Sequence, residues 1–218
     1  VGLIPLKDML DAGKYFLRKQ QRSVGISDEE IIKIAVKSLG LDELAPFDPK
    51  KKIIEYVMEE NSGKKLGDLS LKQFAEETAS ESPAPGGGSI SAYMGALGAA
   101  LGTMVANLSA HKRGWDYRWE EFSNWAEKGK YYHTALLQCV DEDTDAFNEI
   151  MTAFSLPKAT EQEKNDRKTA IQQATRLAME VPLKVMQLAC DSMDMIRVMA
   201  ETGNPNSVSD AGVGALCA

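Results

Sequence analysis

One segment of this chain, residues 82–110, contains no Asp, Glu, Lys or Arg, although 26% of all residues are charged. The segment opens with the motif PAPGGGS at positions 83–89 and continues with small and apolar residues. Two pairs of small residues are spaced four apart, Gly95/Ala99 and Gly98/Gly102. Residues at this spacing share one face of a helix, and side chains this small let another backbone come close. The segment therefore predicts a tightly packed helix.

Three consecutive glycines, Gly86, Gly87 and Gly88, stand directly before this predicted helix. We expect them to adopt left-handed backbone angles or to lie directly against another group, because glycine is the residue that permits both. The start of a helix also presents unpaired N–H groups and a positive dipole end, which favour an anionic or electron-rich ligand. The sequence therefore indicates a binding loop at this position.

A charge-free run of this length could also cross a membrane, since about 18 apolar residues are enough to do so. Five polar side chains, those of Ser91, Tyr93, Thr103, Asn107 and Ser109, interrupt the run and lower its hydropathy. We therefore expect a buried core helix and no membrane contact.

The composition favours a soluble protein that does not bind nucleic acid. The 218 residues are 44% hydrophobic, enough for a core, and the formal net charge of −7 leaves no dominant basic surface. The three cysteines, Cys139, Cys190 and Cys217, are an odd number, so we expect buried, reduced thiols and a cytoplasmic location. No signal peptide is recognisable, and both ends of the sequence read as cut points in a longer protein.

Helix signals follow one another along almost the whole chain. Ser27 and Ser70 each begin a capping box, in which the hydroxyl accepts a hydrogen bond from a free N–H of the first turn. Apolar spacing, caps and prolines predict seven helices. One of them begins at Pro49 and places Ile53, Ile54, Val57 and Met58 on its apolar face. The others cover residues 5–20, 28–39, 70 to about 80, 90–110, 115–155 and 161–201. We therefore predict an all-α, up-and-down helical bundle.

Asp143 stands out in the longest of these helices. An apolar seam with alternating steps of four and three residues runs from Trp115 to Ile150 and includes Phe147, and Asp143 falls on this seam. A carboxylate in apolar surroundings needs a hydrogen-bond donor or a cation. Two interpretations stay open: Asp143 caps the end of a neighbouring helix, or it transfers a proton or faces a cationic substrate in an active site.

No metal site is expected. The acidic run at 141–145 resembles the start of a calcium loop, but Ala146 and Thr152 stand where such a loop needs Gly and Glu. The two histidines, His111 and His133, have no partner at ligand spacing. His111 is the better candidate of the two for a place in a binding site, because it follows the small-residue helix.

A second polar cluster lies at residues 203–210, with the sequence GNPNSVSD. Ser207 or Ser209 can cap the helix that follows, and Asp210 complements its dipole. A cap needs only one such residue, so the crowding of Asn204, Ser209 and Asp210 fits a polar wall of a binding site equally well.

Taken in order, these motifs resemble the cyclodeaminase/methenyltetrahydrofolate cyclohydrolase family. The resemblance lies in residues 66–110 with APGGGS at 84–89, in DEDTDAF at 141–147, in LPK at 156–158 and in the cluster at 203–210. The stretches VGLIPLK at 1–7 and PFDPKKKIIEY at 46–56 resemble the end of a formiminotransferase, which is fused ahead of the cyclodeaminase in bifunctional members.

The resemblance implies a division of the chain. Residues 1–60 would be the C-terminal fragment of the formiminotransferase domain, contributing helices from the end of an α/β fold. Residues 61–69 would be a linker, and residues 70–218 would be a cyclodeaminase bundle whose last helices lie beyond Ala218.

The resemblance also implies a folate enzyme of histidine breakdown. Its cyclodeaminase closes 5-formiminotetrahydrofolate to 5,10-methenyltetrahydrofolate with loss of ammonia. Its transferase moves the formimino group from formiminoglutamate to tetrahydrofolate, with a catalytic histidine that lies outside this chain. Tetrahydrofolate is then the carrier of the substrate, in polyglutamylated form, no metal is needed, and the enzyme is a homo-oligomer.

By this resemblance Asp143 is the principal acid/base or cation-stabilising group and Asp141 is the second choice. The expected folate-binding residues are Pro85, Gly86, Gly87, Gly88, Ser89, Asn204, Ser209 and Asp210. Two alternatives stay open: a cyclohydrolase that acts on methenyltetrahydrofolate with water, which the transferase-like segment disfavours, and a non-catalytic helical assembly module.

Overall fold

The computed structural model describes residues 2–43, 45–59 and 65–218. The helices are α1 (Leu6–Lys19), α2 (Asp28–Ser38), α3 (Pro49–Lys52), α4 (Ile54–Glu59), α5 (Leu71–Thr78), α6 (Gly87–Ala110), α7 (Trp119–Ser155), α8 (Glu161–Thr202) and α9 (Val208–Cys217). Short 3-10 turns lie at Leu66–Asp68, Asp116–Arg118 and Pro205–Ser207. The described residues form no strand, so the predicted all-α helical fold is confirmed.

The predicted starts of α2 and α5 are confirmed by their caps, whereas α6 begins at Gly87 and α7 at Trp119, three residues before and four residues after their predicted starts. The Ser27 hydroxyl accepts a hydrogen bond from the Glu30 N–H at 3.3 Å. Ser70 and Gln73 form the full reciprocal capping box at the start of α5. α7 ends at Ser155, directly before the Leu156-Pro157 break, while α8 continues through Pro182. Local side-chain chemistry therefore sets these boundaries.

The prediction of a single helix beginning at Pro49 is wrong in one respect, because Ile53 interrupts the helix. Ile53 is extended, fully buried, and forms an isolated parallel bridge with Ile4. Met58, predicted on the same buried face, is 69% exposed. The bridge pairs two residues far apart in sequence, so local spacing could not reveal it. The predicted exposed linker falls partly on residues 61–64, which lie outside the described residues.

The chain divides into two compact units that combine separate stretches of sequence. Unit 1 comprises Val1–Lys64, Leu101–Lys130 and Met195–Gly212, and unit 2 comprises Lys65–Ala100, Tyr131–Asp194 and Val213–Ala218. This division by contacts differs from the predicted division at residues 61–69, which stays a prediction.

In unit 1 the turn after α1 is held by residues from the end of α6 and the start of α7. The Ser23 hydroxyl donates to Asn107 Oδ1 at 2.6 Å, and Asn107 Nδ2 donates to the Gly25 carbonyl at 2.8 Å. The Val24 N–H donates to the Ser123 hydroxyl at 3.1 Å. Ser23 and Val24 are buried, so these hydrogen bonds satisfy groups that water does not reach.

In unit 2 the core is built from α6, α7 and α8. Its buried members are Ala92, Ala96, Ala99, Tyr132, Leu136, Cys139, Val140, Val185 and Leu188. A β-carbon at Gly98 would lie 2.6 Å from the Gly214 carbonyl oxygen and 2.8 Å from the Ala218 nitrogen. α6 and α9 therefore pack backbone against backbone, as the small-residue spacing predicts.

α6 is long and apolar enough to cross a membrane when judged by length and composition alone. Within the described residues, however, 56% of its most apolar window is buried by other parts of the protein. A buried core helix has the same composition, and the packing of Gly98 fits this interpretation.

Two further predictions about burial are wrong. Phe147, placed on the buried seam of α7, is 37% exposed, because Ala146 and Ala153 carry the buried face at that end of the helix. Cys190 is exposed and Cys217 is half-buried, whereas Cys139 is fully buried as expected.

Candidate functional site

The glycine motif lies where a loop enters α6. Pro85 is buried, the Ala84–Pro85 peptide is cis, and Gly87 and Gly88 belong to the first turn of the helix. Neither these two glycines nor Gly86 has a positive φ, so of the two expected reasons for the glycines the left-handed backbone angles are excluded and the close approach to another group remains. A glycine has no β-carbon, so it also lets another group approach the backbone closely or leaves space open beside it. These are the properties that the glycines of this loop provide.

Gly88 makes room for Asp143 of α7. A β-carbon built on Gly88 would overlap the Asp143 carboxylate. The buried Ser89 hydroxyl donates a hydrogen bond to Asp143 Oδ2 at 2.8 Å and lies 3.5 Å from the Thr144 hydroxyl. The sequence predicts that these residues belong to one site. In the structure Asp143 contacts both Gly88 and Ser89.

The half-buried Asp143 carboxylate thus faces the start of α6, where the positive end of the helix dipole favours a negative charge. Both interpretations of Asp143 fit this position. It acts on a neighbouring helix start, as a structural cap would, and it is a carboxylate held in a fixed orientation by the Ser89 hydroxyl. Such a group can exchange a proton with a ligand or stabilise a cation.

A cavity of about 710 Å³ opens beside this loop. Gly87, Gly88 and Ser91 form its polar side, and no atom outside the adjacent residues and the backbone of the same helix turn lies within 4 Å of a β-carbon built on Gly87. Its remaining wall consists of Ile90, Met94, Pro182, Val185, Met186, Ala189, Cys217 and Ala218. An apolar wall with a few polar groups at one end is typical of sites for small organic ligands.

Asp141 contacts a different part of unit 2. Its Oδ1 accepts a hydrogen bond from the Gly67 N–H at 3.2 Å. The neighbouring Leu66 packs against the core of unit 2. Asp141 therefore anchors the turn that precedes α5, a contact between residues 74 positions apart that no local motif indicates.

Glu142, between the two aspartates, forms an ion pair with Lys184 of α8 at 2.8 and 2.9 Å. The hydrogen bonds to Glu142 raise the pKa of Lys184. Burial raises the pKa of the nearby Cys139 thiol, although the charge of Lys184 acts in the opposite direction. This thiol is therefore protonated and poorly reactive at neutral pH.

The remaining predicted site residues belong to unit 1. The Asn204 N–H donates to the Ser109 hydroxyl at 2.8 Å, and Asn204 Oδ1 accepts from the Asn206 N–H, which caps the turn before α9. Ser209 is exposed and Asp210 is half-buried in the first turn of α9. The cap that the structure shows is therefore Asn204, whereas the sequence predicted Ser207 or Ser209. Ligand binding by this cluster stays a prediction.

His111 has a structural contact that the sequence did not reveal. Its Nε2 accepts a hydrogen bond from the Ser23 N–H at 3.4 Å. Partial burial, together with the charge of Arg22, lowers the pKa of His111. Both effects favour the neutral imidazole that this hydrogen bond requires. In the described parts of the chain, no three His, Cys, Asp or Glu side chains come together as a metal site.

The helical fold and the glycine loop with its carboxylate define a protein of the formiminotransferase-cyclodeaminase family. The sequence profile of that family matches residues 70–218, and the profile of the formiminotransferase domain matches residues 1–59. The chain belongs to this family, as its motifs predict.

Several relatives bear out this membership. The chain is 38% identical to the formimidoyltransferase-cyclodeaminase of Rattus norvegicus and 37% identical to that of Gallus gallus, each over 216 residues. Each match covers 99% of this chain and 40% of the relative. The chain therefore spans about two fifths of the length of these relatives.

Two shorter relatives match a smaller part of the chain. The methenyltetrahydrofolate cyclohydrolase of Methylorubrum extorquens is 37% identical over 152 residues, which cover 70% of this chain and 73% of the relative. The crystal structure of formiminotetrahydrofolate cyclodeaminase from Thermotoga maritima superposes with a TM-score of 0.59 at 31% identity, with the same shares covered.

Proposed function

We propose that this chain carries a formimidoyltetrahydrofolate cyclodeaminase, which converts 5-formiminotetrahydrofolate to 5,10-methenyltetrahydrofolate and ammonia. The observation that carries the proposal is the hydrogen bond from Ser89 to Asp143 at the glycine loop, in a chain whose two segments match both parts of the family. The transferase-like residues 1–59 favour the formimino pathway over the cyclohydrolase alternative.

The reaction needs one proton transfer and the stabilisation of a cation. N10 of the folate attacks the formimino carbon and forms a tetrahedral centre with three nitrogens. Starting from the protonated formimino group, the proton of N10 passes to the Asp143 carboxylate and from there to the amino nitrogen, ammonia leaves, and the methenyl cation remains. Asp143 supplies the proton and afterwards faces the cation as a carboxylate, while Ser89 holds it in place.

The cavity beside the loop suits the heterocycle of the folate. Its apolar wall can contact the ring faces, and Gly87 leaves the helix start open to ring edges and to the reacting carbon. Pro85 and Gly86 shape the entry of the loop. Folate binding by Asn204, Ser209 and Asp210 is proposed from the family resemblance alone, and Asp141 has a supporting role through Gly67.

A direct assay tests the proposal. The purified protein is incubated with 5-formiminotetrahydrofolate, and methenyl product and ammonia are followed together, with equal amounts expected. Asp143→Asn, shown to be folded by circular dichroism, should lose about 100-fold or more of the activity. Asp145→Asn is the matched control, because Asp145 is exposed on the same helix and should keep normal activity. Normal activity of a folded Asp143→Asn protein would reject the assignment.

Further features of the enzyme are proposed from the family alone. They are glutamate formimidoyltransferase activity of the full-length protein, a role in histidine breakdown, a polyglutamylated folate substrate, a cytoplasmic location and a homo-oligomeric state. Equilibrium binding of folate separates the enzyme from a non-catalytic assembly module, which should bind none. Light scattering coupled to size-exclusion chromatography measures the oligomeric state.

A further inference from the structure

Two hydroxyl groups lead to the Asp143 carboxylate from two helices. Thr144 stands next to Asp143 on α7, and Ser89 lies in the first turn of α6. Building on the proposed function, in which Asp143 carries the transferred proton, we infer that Thr144 is a positioning residue of the cyclodeaminase reaction. It acts on Asp143 through the hydroxyl of Ser89, and Thr144 and Ser89 together form a hydroxyl pair.

The direction of hydrogen bonding in the hydroxyl pair follows from its donors and acceptors. The Ser89 oxygen lies 2.8 Å from Asp143 Oδ2 and 3.5 Å from the Thr144 hydroxyl oxygen. A hydroxyl has one proton to donate and two lone pairs, and an ionised carboxylate only accepts. The single Ser89 proton goes to Asp143, so Thr144 is the donor in its contact with Ser89. Donation therefore runs from Thr144 to Ser89 and from Ser89 to Asp143.

A hydroxyl in a helix also has a local partner, because it can donate to a backbone carbonyl three or four residues earlier. Ser91 and Thr152 do so, each to the carbonyl four residues earlier, at 2.8 and 2.9 Å. The Ser89 hydroxyl donates to Asp143 of another helix, and the Thr144 hydroxyl lies within reach of Ser89. Both members of the hydroxyl pair thus link α6 to α7.

The burial of Ser89 makes the contribution of Thr144 matter. Ser89 is fully buried, so water does not replace a lost partner of its hydroxyl. Without the donor at Thr144, rotation of Ser89 toward the backbone of its own helix competes better with its bond to Asp143. The 3.5 Å separation is long for two hydroxyl oxygens, but hydrogen bonds at catalytic groups often shorten when substrate binds.

The orientation of the hydroxyl pair also decides which oxygen of Asp143 takes up the transferred proton. Ser89 donates to Oδ2, so that oxygen already accepts a hydrogen bond. Oδ1 is the carboxylate oxygen nearest to a β-carbon built on Gly88, on the side of the glycine loop. The proton of N10 is therefore taken up and passed on by Oδ1. A Ser89 hydroxyl that turns away removes this difference between the two oxygens and slows the transfer.

The test measures kcat and KM for cyclodeamination in variants of Thr144. Thr144→Val nearly keeps the shape of the side chain but removes the hydroxyl, so kcat should fall about fivefold with KM nearly unchanged. Thr144→Ser restores the hydroxyl and should recover kcat to within about twofold of the wild type. Thr152→Val, at an exposed position of the same helix, is the matched control and should keep the normal kcat.

A double variant shows whether Thr144 acts through Ser89. Ser89→Ala should lower kcat about 30-fold, because it removes a hydrogen bond to a charged group. Adding Thr144→Val to Ser89→Ala should cause no further loss, whereas independent effects would multiply. Urea unfolding of the same proteins measures their stability, and a merely structural role would lower the stability but leave kcat per folded molecule unchanged.

The outcomes separate the role of Thr144 from the proposed function. An active wild type and a normal kcat for folded Thr144→Val overturn the role of Thr144 and leave the proposed function intact. Losses that multiply in the double variant, or no recovery in Thr144→Ser, also overturn this role, because Thr144 would then not act through a hydroxyl on Ser89. A folded wild type that does not cyclise 5-formiminotetrahydrofolate rejects the proposed function and the role of Thr144 together.

Discussion

Gly88 and Asp143 fit together so closely that a β-carbon at position 88 would overlap the Asp143 carboxylate. Gly88 stands in the first turn of α6 and Asp143 in the middle of α7, so the contact joins two helices of unit 2. A β-carbon built on the neighbouring Gly87 would meet no atom within 4 Å other than those of the adjacent residues and the backbone of the same helix turn. Two adjacent glycines therefore have separate roles, one in packing and one at the open cavity.

This difference predicts opposite effects of two alanine substitutions. Gly88→Ala should displace Asp143 and destabilise the protein by about 1–2 kcal/mol, because overpacking outweighs the gain in helix propensity. Gly87→Ala should be neutral or stabilising by up to about 1 kcal/mol. Urea unfolding measures both, and the activity assay should show a loss of at least about tenfold for Gly88→Ala. Equal stability of the two variants would contradict the packing role.

Asn107 is expected to hold the turn after α1. Asn107→Ala removes the partner of the buried Ser23 hydroxyl and of the Gly25 carbonyl, so we expect a loss of about 2–4 kcal/mol in the free energy of unfolding. Asn148→Ala is the matched control, an exposed position in α7 where the change should stay within about 0.5 kcal/mol. Limited proteolysis should also cut Asn107→Ala faster near residues 21–26, and similar values for both variants would refute the assignment.

The ion pairs of Glu127 with Lys14 and Arg18 should make the stability of the protein depend slightly on pH. Burial alone would raise the pKa of Glu127, but hydrogen bonds and charges from Lys14 and Arg18 outweigh it and lower the pKa below the ordinary 4.5. The stabilisation is therefore present above pH 4.5 and disappears as the pH falls through the lowered pKa. With a third of the side chain exposed, it should stay below about 1 kcal/mol.

The measurement compares thermal unfolding of the wild type and Glu127→Gln between pH 3 and pH 7. The two proteins should differ at pH 7 and converge at the acid end. Glu149→Gln, at an exposed position of the same helix, serves as control and should follow the wild type. A difference that grows toward low pH has the wrong sign for this ion pair.

The cysteines should differ in reactivity. Cys139 is fully buried, and burial raises the pKa of its thiol, whereas Cys190 is exposed. A thiol reagent should label Cys190 in the native protein and Cys139 only after unfolding. Mass spectrometry of the labelled peptides distinguishes the sites. Native labelling of both thiols at similar rates would show that the core around Cys139 opens readily.

Local sequence signals predicted most of the helices. The Ser70 capping box, the break at Leu156-Pro157 and the start of a helix at Pro49 depend on neighbouring residues, and the structure confirms each of them. The interruption at Ile53 was not predictable in this way, because its cause is the bridge to Ile4. The spacing of apolar residues along α7 also could not show that the Phe147 side chain is exposed.

The candidate site was predicted in part. A glycine run before a helix and one carboxylate on an apolar seam were sufficient to single out Gly88, Ser89 and Asp143, which the structure brings into contact. The contact of Asp141 with Gly67 was not predictable, since its partner is a backbone N–H without a sequence signature. The contact of His111 was not predictable either, because it is a hydrogen bond that the imidazole accepts from the backbone N–H of Ser23.

The turn at residues 23–25 limits which amino-acid substitutions the protein can tolerate. Ser23 and Asn107 are separated by 84 positions, and a β-carbon at Gly25 would overlap Ala126. The transferase-like segment and the cyclodeaminase helices thus share one interior, so a substitution on either side changes which residues the other side tolerates. A protein cut between residues 60 and 70 would lose part of its core, and exchange of the transferase part for that of a distant relative should succeed only if this turn is exchanged with its partners.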